Sequence, residues 1–212
     1  MGNDSHYGFS YYEGNFCNYG AYGGYMGKLM GLSRMLVFRK SISMIRKHKI
    51  NGKALDIGCA YGYLANYLSR KGFDASGCDI SEYALGIASN MFPHIPTFRG
   101  DIDNGFSLPK DEYDLITAFE VLEHCRNLDQ IAQKVRNSLR PGGLFLISVP
   151  DSDLVPPEEQ GDDTHISFLN TREWIDVFSH NGLECVDRAF YPGPLKKIKP
   201  YWGTNLILFR KS

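Results

Sequence analysis

The stretch "ALDIGCAYGYLA", Ala54 to Ala65, passes from a short apolar strand pattern into a helical one, and its turn holds an aspartate and two glycines. Such a turn answers either to a tight steric demand or to something bound against it. Gly58 and Gly62 would let the backbone pass close to a ligand, and a helix starting near Gly62 presents free N–H groups. The spacing G-x-x-x-G differs from the dinucleotide pattern G-x-G-x-x-G. Asp56, at the strand end before the first glycine, would repel a pyrophosphate and suits a cationic amine instead.

Outward from this stretch, short apolar runs alternate with helical segments. "KALDI" reads as a strand and "GYLANYLSRKG" as a helix ended by Gly72. "FDASGCDI" is a second strand, Ser81 caps a helix running to about Asn90, and "IPTFRGD" is a third strand. "YDLITAF" is a fourth. Asn127 and Gln130 form a capping-box signature for a helix to Leu139, which "RPGG" stops before the fifth strand, "LFLISVP". Asn170 with Glu173 opens "TREWIDVFSHN", closed by Gly182, and "LECVDRAF" and "NLILFR" complete seven strands. Five strands alternating with helices predict a doubly wound, mostly parallel sheet with helices on both faces. The two closing strands, with no helix between them, predict an antiparallel edge strand.

The 212 residues suit a single sizeable core. A formal net charge of -1 offers no field to attract nucleic acid, so no nucleic-acid partner is expected. The five cysteines are scattered and odd in number, without a Cys-x-x-Cys pair, so neither a metal site nor a disulfide framework is expected and reduced thiols in the cytoplasm fit. No leader or membrane span is expected either, and a start resembling a myristoylation signal lacks its Ser/Thr.

Residues 1–50 precede the alternating pattern. They hold a Gly- and Tyr-rich arm that includes Tyr19, Tyr22 and Tyr25, then a helix over about Leu29–Lys49 with basic residues in its last turn. The arm is a candidate lid that orders over a ligand, with the tyrosines as candidate substrate contacts; the competing reading is an aromatic wrap on the core. Residues 51–212 form the main domain.

In doubly wound sheets, ligands bind beyond the carboxyl ends of the strands where strand order reverses. The second strand ends in Asp79, about 20 residues after the turn, where a carboxylate accepts from both ribose hydroxyls. At the third strand's end, Asp101 could accept from an adenine amino group, with Ile80 and Ile102 as flat apolar neighbours. An aspartate in a loop is also commonly an Asx-turn or cap. Together the three strand ends point to a nucleoside without phosphate.

"ALDIGCAYG", "GCDIS", "RGDID", "YDLITAFEVLEH" and "LRPGGLFLISVP" resemble, in order, the cofactor motifs of the class I S-adenosylmethionine-dependent methyltransferases, and look most like the small-molecule branch that includes ubiquinone-pathway O-methyltransferases. The resemblance is close over about residues 52–150 and looser to 190. It implies a Rossmann-like fold, S-adenosylmethionine as cofactor and S-adenosylhomocysteine as product. It also implies that the main chain around Gly58, Cys59 and Ala60 cradles the methionine part, with Asp56 towards its amine. Asp79 would bind the ribose, Asp101 and Ile102 the adenine, and Phe119 and Glu120 would line the methionine carbonyl side. Where that family's loop often has a third glycine, this chain has Ala60.

Methyl transfer needs the acceptor held in line, water excluded and, for a hydroxyl, its proton removed. His124, just after the fourth strand, and His165, in the acidic loop after the fifth, are the candidate bases; for His124 a helix-start histidine bonded to nearby backbone is the competing reading. "LKKIK" near Lys196 reads as a solvated charge run, with anionic-substrate binding as the alternative. The expectation is O-methylation of a small-molecule acceptor by a monomer or homodimer, against a non-catalytic cofactor-binding or scaffolding protein. A nicotinamide-dependent dehydrogenase is disfavoured by Asp56 and the glycine spacing.

Overall fold

Strand β1 (Lys53–Ile57) is buried along nearly its whole length because it is hydrogen-bonded on both sides to parallel neighbours, β2 (Asp74–Asp79) and β4 (Tyr113–Phe119). Around it the computed structural model, which describes residues 7–13, 25–154, 164–191 and 204–212, builds one seven-stranded sheet. With β3 (Thr97–Arg99), β5 (Leu139–Val149), β6 (Leu183–Tyr191) and β7 (Thr204–Lys211), its order is β3-β2-β1-β4-β5-β7-β6. Strand β7 alone runs antiparallel to its neighbours, β5 and β6, and it lies one place in from the border with β6 outermost. The chain proceeds outward one way from β1 and the other way from β4, so the order reverses between these two strands.

Side chains along a strand alternate between faces, and the sheet buries both. Leu55, Ile57, Ile116, Ala118, Phe145 and Ile147 meet helices α5 (Leu128–Ser138) and α6 (Thr171–His180), with Trp174 and Phe178 fully enclosed. On the other face Ala54, Leu115, Leu144 and Leu146 meet α2 (Tyr25–Arg46) and α3 (Tyr63–Ser69). The expected N-terminal helix therefore starts and ends a few residues early, and it buries Phe38, Ile42, Met44 and Ile45 on the sheet. Helix α1 (Phe9–Glu13) is a short turn of the arm that the periodicity does not reveal. No helix among the described residues is long and apolar enough to cross a membrane.

Helix starts follow the caps with one exception. Ser81 accepts from Ala84 N–H at the start of α4 (Glu82–Met91), and the reciprocal Asn170–Glu173 box forms at α6. The box expected from Asn127 and Gln130 does not form, because the Asp103 carboxylate accepts the Arg126 and Asn127 N–H groups at 3.1 and 2.8 Å. A charged acceptor from a neighbouring loop outcompetes the local amide. The "RPGG" segment is an excursion within β5, pairing with β4 at Leu139 and again at Leu144.

Tyr19 and Tyr22 lie outside the described residues, as do residues 155–163 of the loop after β5 and the charge run near Lys196. Tyr25 is the first residue of α2, and its side chain also lies outside the description.

Candidate functional site

The loop after β1 makes three left-handed turns of the backbone, at Gly58 (φ 66°), Ala60 (φ 46°) and Gly62 (φ 76°). Gly58 has a second reason to be glycine: a Cβ there would lie 2.1 Å from Val121 Cγ2, so the loop after β4 presses against it. Cys59 is buried against Gly77 of β2, and burial pushes its thiol well above the usual range. Gly62 N–H donates to the Cys59 carbonyl at 2.8 Å, closing the loop just before α3.

Ala60 accepts backbone strain that a glycine would not feel, and its N–H thereby points at Asp79 Oδ2, 2.8 Å away. The other oxygen of Asp79 accepts from Ser81 N–H at 2.9 Å, and the Ile80 N–H and the Tyr12 hydroxyl also donate. These bonds favour the carboxylate, but burial outweighs them and raises the Asp79 pKa. Ile80 is half-buried beside it.

Asp56 and Thr117 are cross-strand partners on β1 and β4, and the Thr117 hydroxyl donates to Asp56 Oδ1 at 2.7 Å. Only 3% of Asp56 is exposed, and burial drives its pKa up to about 7, against the bonds from Thr117 and the Ala65 N–H. Near neutrality it is therefore divided between acid and carboxylate.

The remaining expected cofactor residues are spread more widely. Asp101 spends its carboxylate on its own turn, accepting from Asp103 N–H, Asn104 N–H and the Asn104 amide. Ile102 is buried in the α5/α6 core. Phe119 ends β4 in edge contact with Phe38 of α2, ring centroids 6.2 Å apart. Glu120 is left-handed (φ 54°), and its carboxylate turns to β5 and β7, accepting from Ser148 and Thr204.

His124 and His165, 41 positions apart in the chain, come together. His124 ends a 3₁₀ turn, Leu122–His124, and the two imidazoles meet edge to face with centroids 4.8 Å apart. His124 Nδ1 lies 3.2 Å from the Thr164 carbonyl and 2.8 Å from the Thr164 hydroxyl, a partner 40 positions away in place of the neighbouring backbone expected for a helix-start histidine. Glu123, fully buried in the same turn, belongs to this cluster and was not singled out from the sequence. The paired acids and histidine of "EVLEH" were the available signal.

Helix α1 lies across these loops. The Ser81 hydroxyl donates to the Tyr7 carbonyl at 2.6 Å, Tyr7 meets His124 edge-on at 6.3 Å, and Tyr12 packs beside Tyr61 and Tyr83. Tyr11 and Tyr12 are buried by this arrangement. The loops after β1, β2 and β4 thus share one aromatic cover.

The loops after β1, β2 and β4, at the reversal of strand order, lie inside residues 16–188, which match the model of a methyltransferase domain, while helix α1 precedes that stretch. The chain belongs to the class I S-adenosylmethionine-dependent methyltransferases. Among relatives of this methyltransferase, a probable S-adenosylmethionine-dependent methyltransferase of Mycolicibacterium smegmatis is 29% identical over 168 residues, covering 76% of this chain and 64% of that one. A ubiquinone biosynthesis O-methyltransferase of Shewanella pealeana is 26% identical over 152 residues, with 64% of each chain covered. The chain thus spans just under two thirds of the length of these curated relatives. A methyltransferase from Archaeoglobus fulgidus superposes with a TM-score of 0.69 at 18% identity, over 84% of this chain and 94% of that one. The same fold carries a [4+2]-cyclase, SpnF, at a TM-score of 0.67 and 15% identity. Fold alone therefore does not set the reaction of a methyltransferase-like chain; the site must.

Proposed function

We propose that this chain binds S-adenosylmethionine across the carboxyl ends of β1, β2 and β4 and transfers its methyl group to an oxygen of a small-molecule acceptor. The observation that carries the reading is Asp79, a buried carboxylate held by main-chain donors from two loops and facing the aromatic cover. A ribose diol offers it two donors. Asp56 meets the cofactor's amine, whose charge draws the proton off a carboxyl poised near neutrality. The Gly58–Gly62 turns let the main chain lie against the methionine part. Asp101 contributes through the lone pairs that its own turn leaves over.

The sulfonium already makes the methyl carbon electrophilic, so the chain's task is to position the acceptor, which can be worth roughly 7 to 11 kcal/mol. Tyr7, His124 and His165 stand together on the β4 side of the site. An acceptor hydroxyl held there must lose its proton, and the two imidazoles are the groups placed to promote it. The O-methyltransferase names among the relatives support oxygen as the acceptor atom.

Calorimetric titration with S-adenosylhomocysteine tests the cofactor site. Asp79→Ala deletes a charge-assisted acceptor worth about 1.5 to 3 kcal/mol and should weaken binding roughly 10- to 150-fold. Unchanged affinity would overturn the assignment. Cofactor binding with no turnover across a hydroxylated acceptor panel would favour a non-catalytic binding protein.

A further inference from the structure

Helices α2 and α3 border a cleft of about 450 Å³ lined by Met35, Arg39, Tyr67, Arg70 and Lys71. Helix spacing builds it. Met35 and Arg39 stand one turn apart on α2, and Tyr67, Arg70 and Lys71 share the face at the end of α3. Phe38, buried between the two helices, packs on Tyr67 with ring centroids 5.5 Å apart and so fixes one wall against the other. Arg70 and Lys71 come just before β2 starts at Asp74, whereas Asp79 closes the carboxyl end of that strand. The cleft is therefore separate from the cofactor site.

Its lining is cationic in a chain whose formal net charge is -1. Helix ends favour cations, which accounts for Arg70 and Lys71, but Arg39 lies two turns before the end of α2 and has no such reason. All three side chains are exposed, and among the described residues none of them has a carboxylate partner, since the ion pairs engage other lysines and arginines. Lys71 Nζ instead lies over the Tyr67 ring, 5.0 Å from its centroid. Three like charges around one concavity repel one another, and an anion between them removes the repulsion. Two arginines suit the paired contacts that a phosphate accepts. Tyr67 and Met35 add a flat ring and a thioether, surfaces that take an apolar body beside the anionic group. A cleft of this size falls in the range of small-ligand sites. A bilayer surface, being flat, would not reach cations that line a concavity.

We propose that the cleft between α2 and α3 is a second binding site, for a small soluble phosphate monoester whose phosphate is held by Arg39, Arg70 and Lys71 and whose apolar or aromatic part lies against Tyr67 and Met35. The site does not depend on the methyl-transfer reading, because none of its residues belongs to the cofactor or acceptor site. Binding there is reversible, and no bond is made or broken.

The test is calorimetric titration of the whole chain with phenyl phosphate, with inorganic phosphate and phenol as controls. The expected result is saturable binding of a single phenyl phosphate per chain, weaker binding of inorganic phosphate and none of phenol. Arg39→Ala and Arg70→Ala each delete a charge-assisted donor and should weaken phenyl phosphate binding roughly 10- to 150-fold. Both side chains are exposed, and an unchanged thermal unfolding midpoint would show that the variants keep their fold. Absence of saturable phenyl phosphate binding overturns the proposal, as does equal binding by wild type and both variants. Equal affinity for inorganic phosphate overturns the part assigned to Tyr67 and Met35. Binding to vesicles of phosphatidylglycerol in phosphatidylcholine without binding of phenyl phosphate overturns the soluble ligand in favour of a lipid surface.

Discussion

The N–H of Ala60 donates to Asp79 Oδ2 at 2.8 Å, and it can do so because Ala60 stands in the left-handed region at φ 46°. The loop after β1 and the end of β2 are joined through this bond, and the strain is confined to one small residue. Ala60→Gly relieves the strain and keeps the N–H, at the cost of some chain entropy. The expected outcome is a gain of about 0.5 to 1 kcal/mol in unfolding free energy, read from chemical denaturation, with cofactor affinity changed less than about threefold. A loss of stability would mean that the alanine methyl makes packing contacts that outweigh its strain.

Gly58 responds in the opposite sense. Alanine there meets both an unfavourable φ of 66° and Val121 Cγ2 at 2.1 Å from the new Cβ. Gly58→Ala should cost on the order of 2 kcal/mol or more. Adding Val121→Ala should recover part of that cost. A double-mutant cycle in thermal or urea unfolding checks the coupling, and strict additivity would remove the steric explanation.

Asp79 receives donors from Ala60, Ser81, Ile80 and Tyr12, enough to engage the roughly four lone-pair positions of a carboxylate. A ribose hydroxyl must displace one of them, and Tyr12 is the only side-chain donor of the set. Tyr12→Phe removes the competitor and should tighten S-adenosylhomocysteine binding by about 3- to 10-fold in a calorimetric titration. Weaker binding would instead show that the hydroxyl remains engaged in the complex.

Asp56 makes cofactor affinity depend on pH. Below its pKa of about 7 the site is mostly protonated, whereas a cationic amine prefers the carboxylate. Affinity should therefore rise from about pH 6 to about pH 7.5, by up to tenfold per unit at the acid end, and proton release should appear as a buffer-dependent heat. Asp56→Asn should flatten this slope. Stability of the cofactor-free protein runs the other way: the raised carboxyl keeps a proton that the unfolded chain has released. Its contribution is complete below about pH 3.8 and is lost as the pH rises through about 7.

Local pattern set most of the fold. Alternating strand and helix periods, the glycines at 58 and 62, the Ser81 cap and the Asn170–Glu173 box each specify a structure within a few residues of chain, and all are present. Asp56 and Asp79 were legible for the same reason, since both stand at strand ends that the pattern places beside the reversal of strand order. What depended on distant chain was not legible. Asp103 displaced the Asn127 box from another loop, β7 inserted itself between β5 and β6, and Glu120 turned towards Ser148 and Thr204. The Glu123, His124 and His165 cluster, and the cover of α1 over Asp79, likewise arise only when separate loops meet. A residue's own neighbours fix its backbone period and cap, but the partner of a side chain is set by whichever donor or acceptor folding brings within about 3 Å.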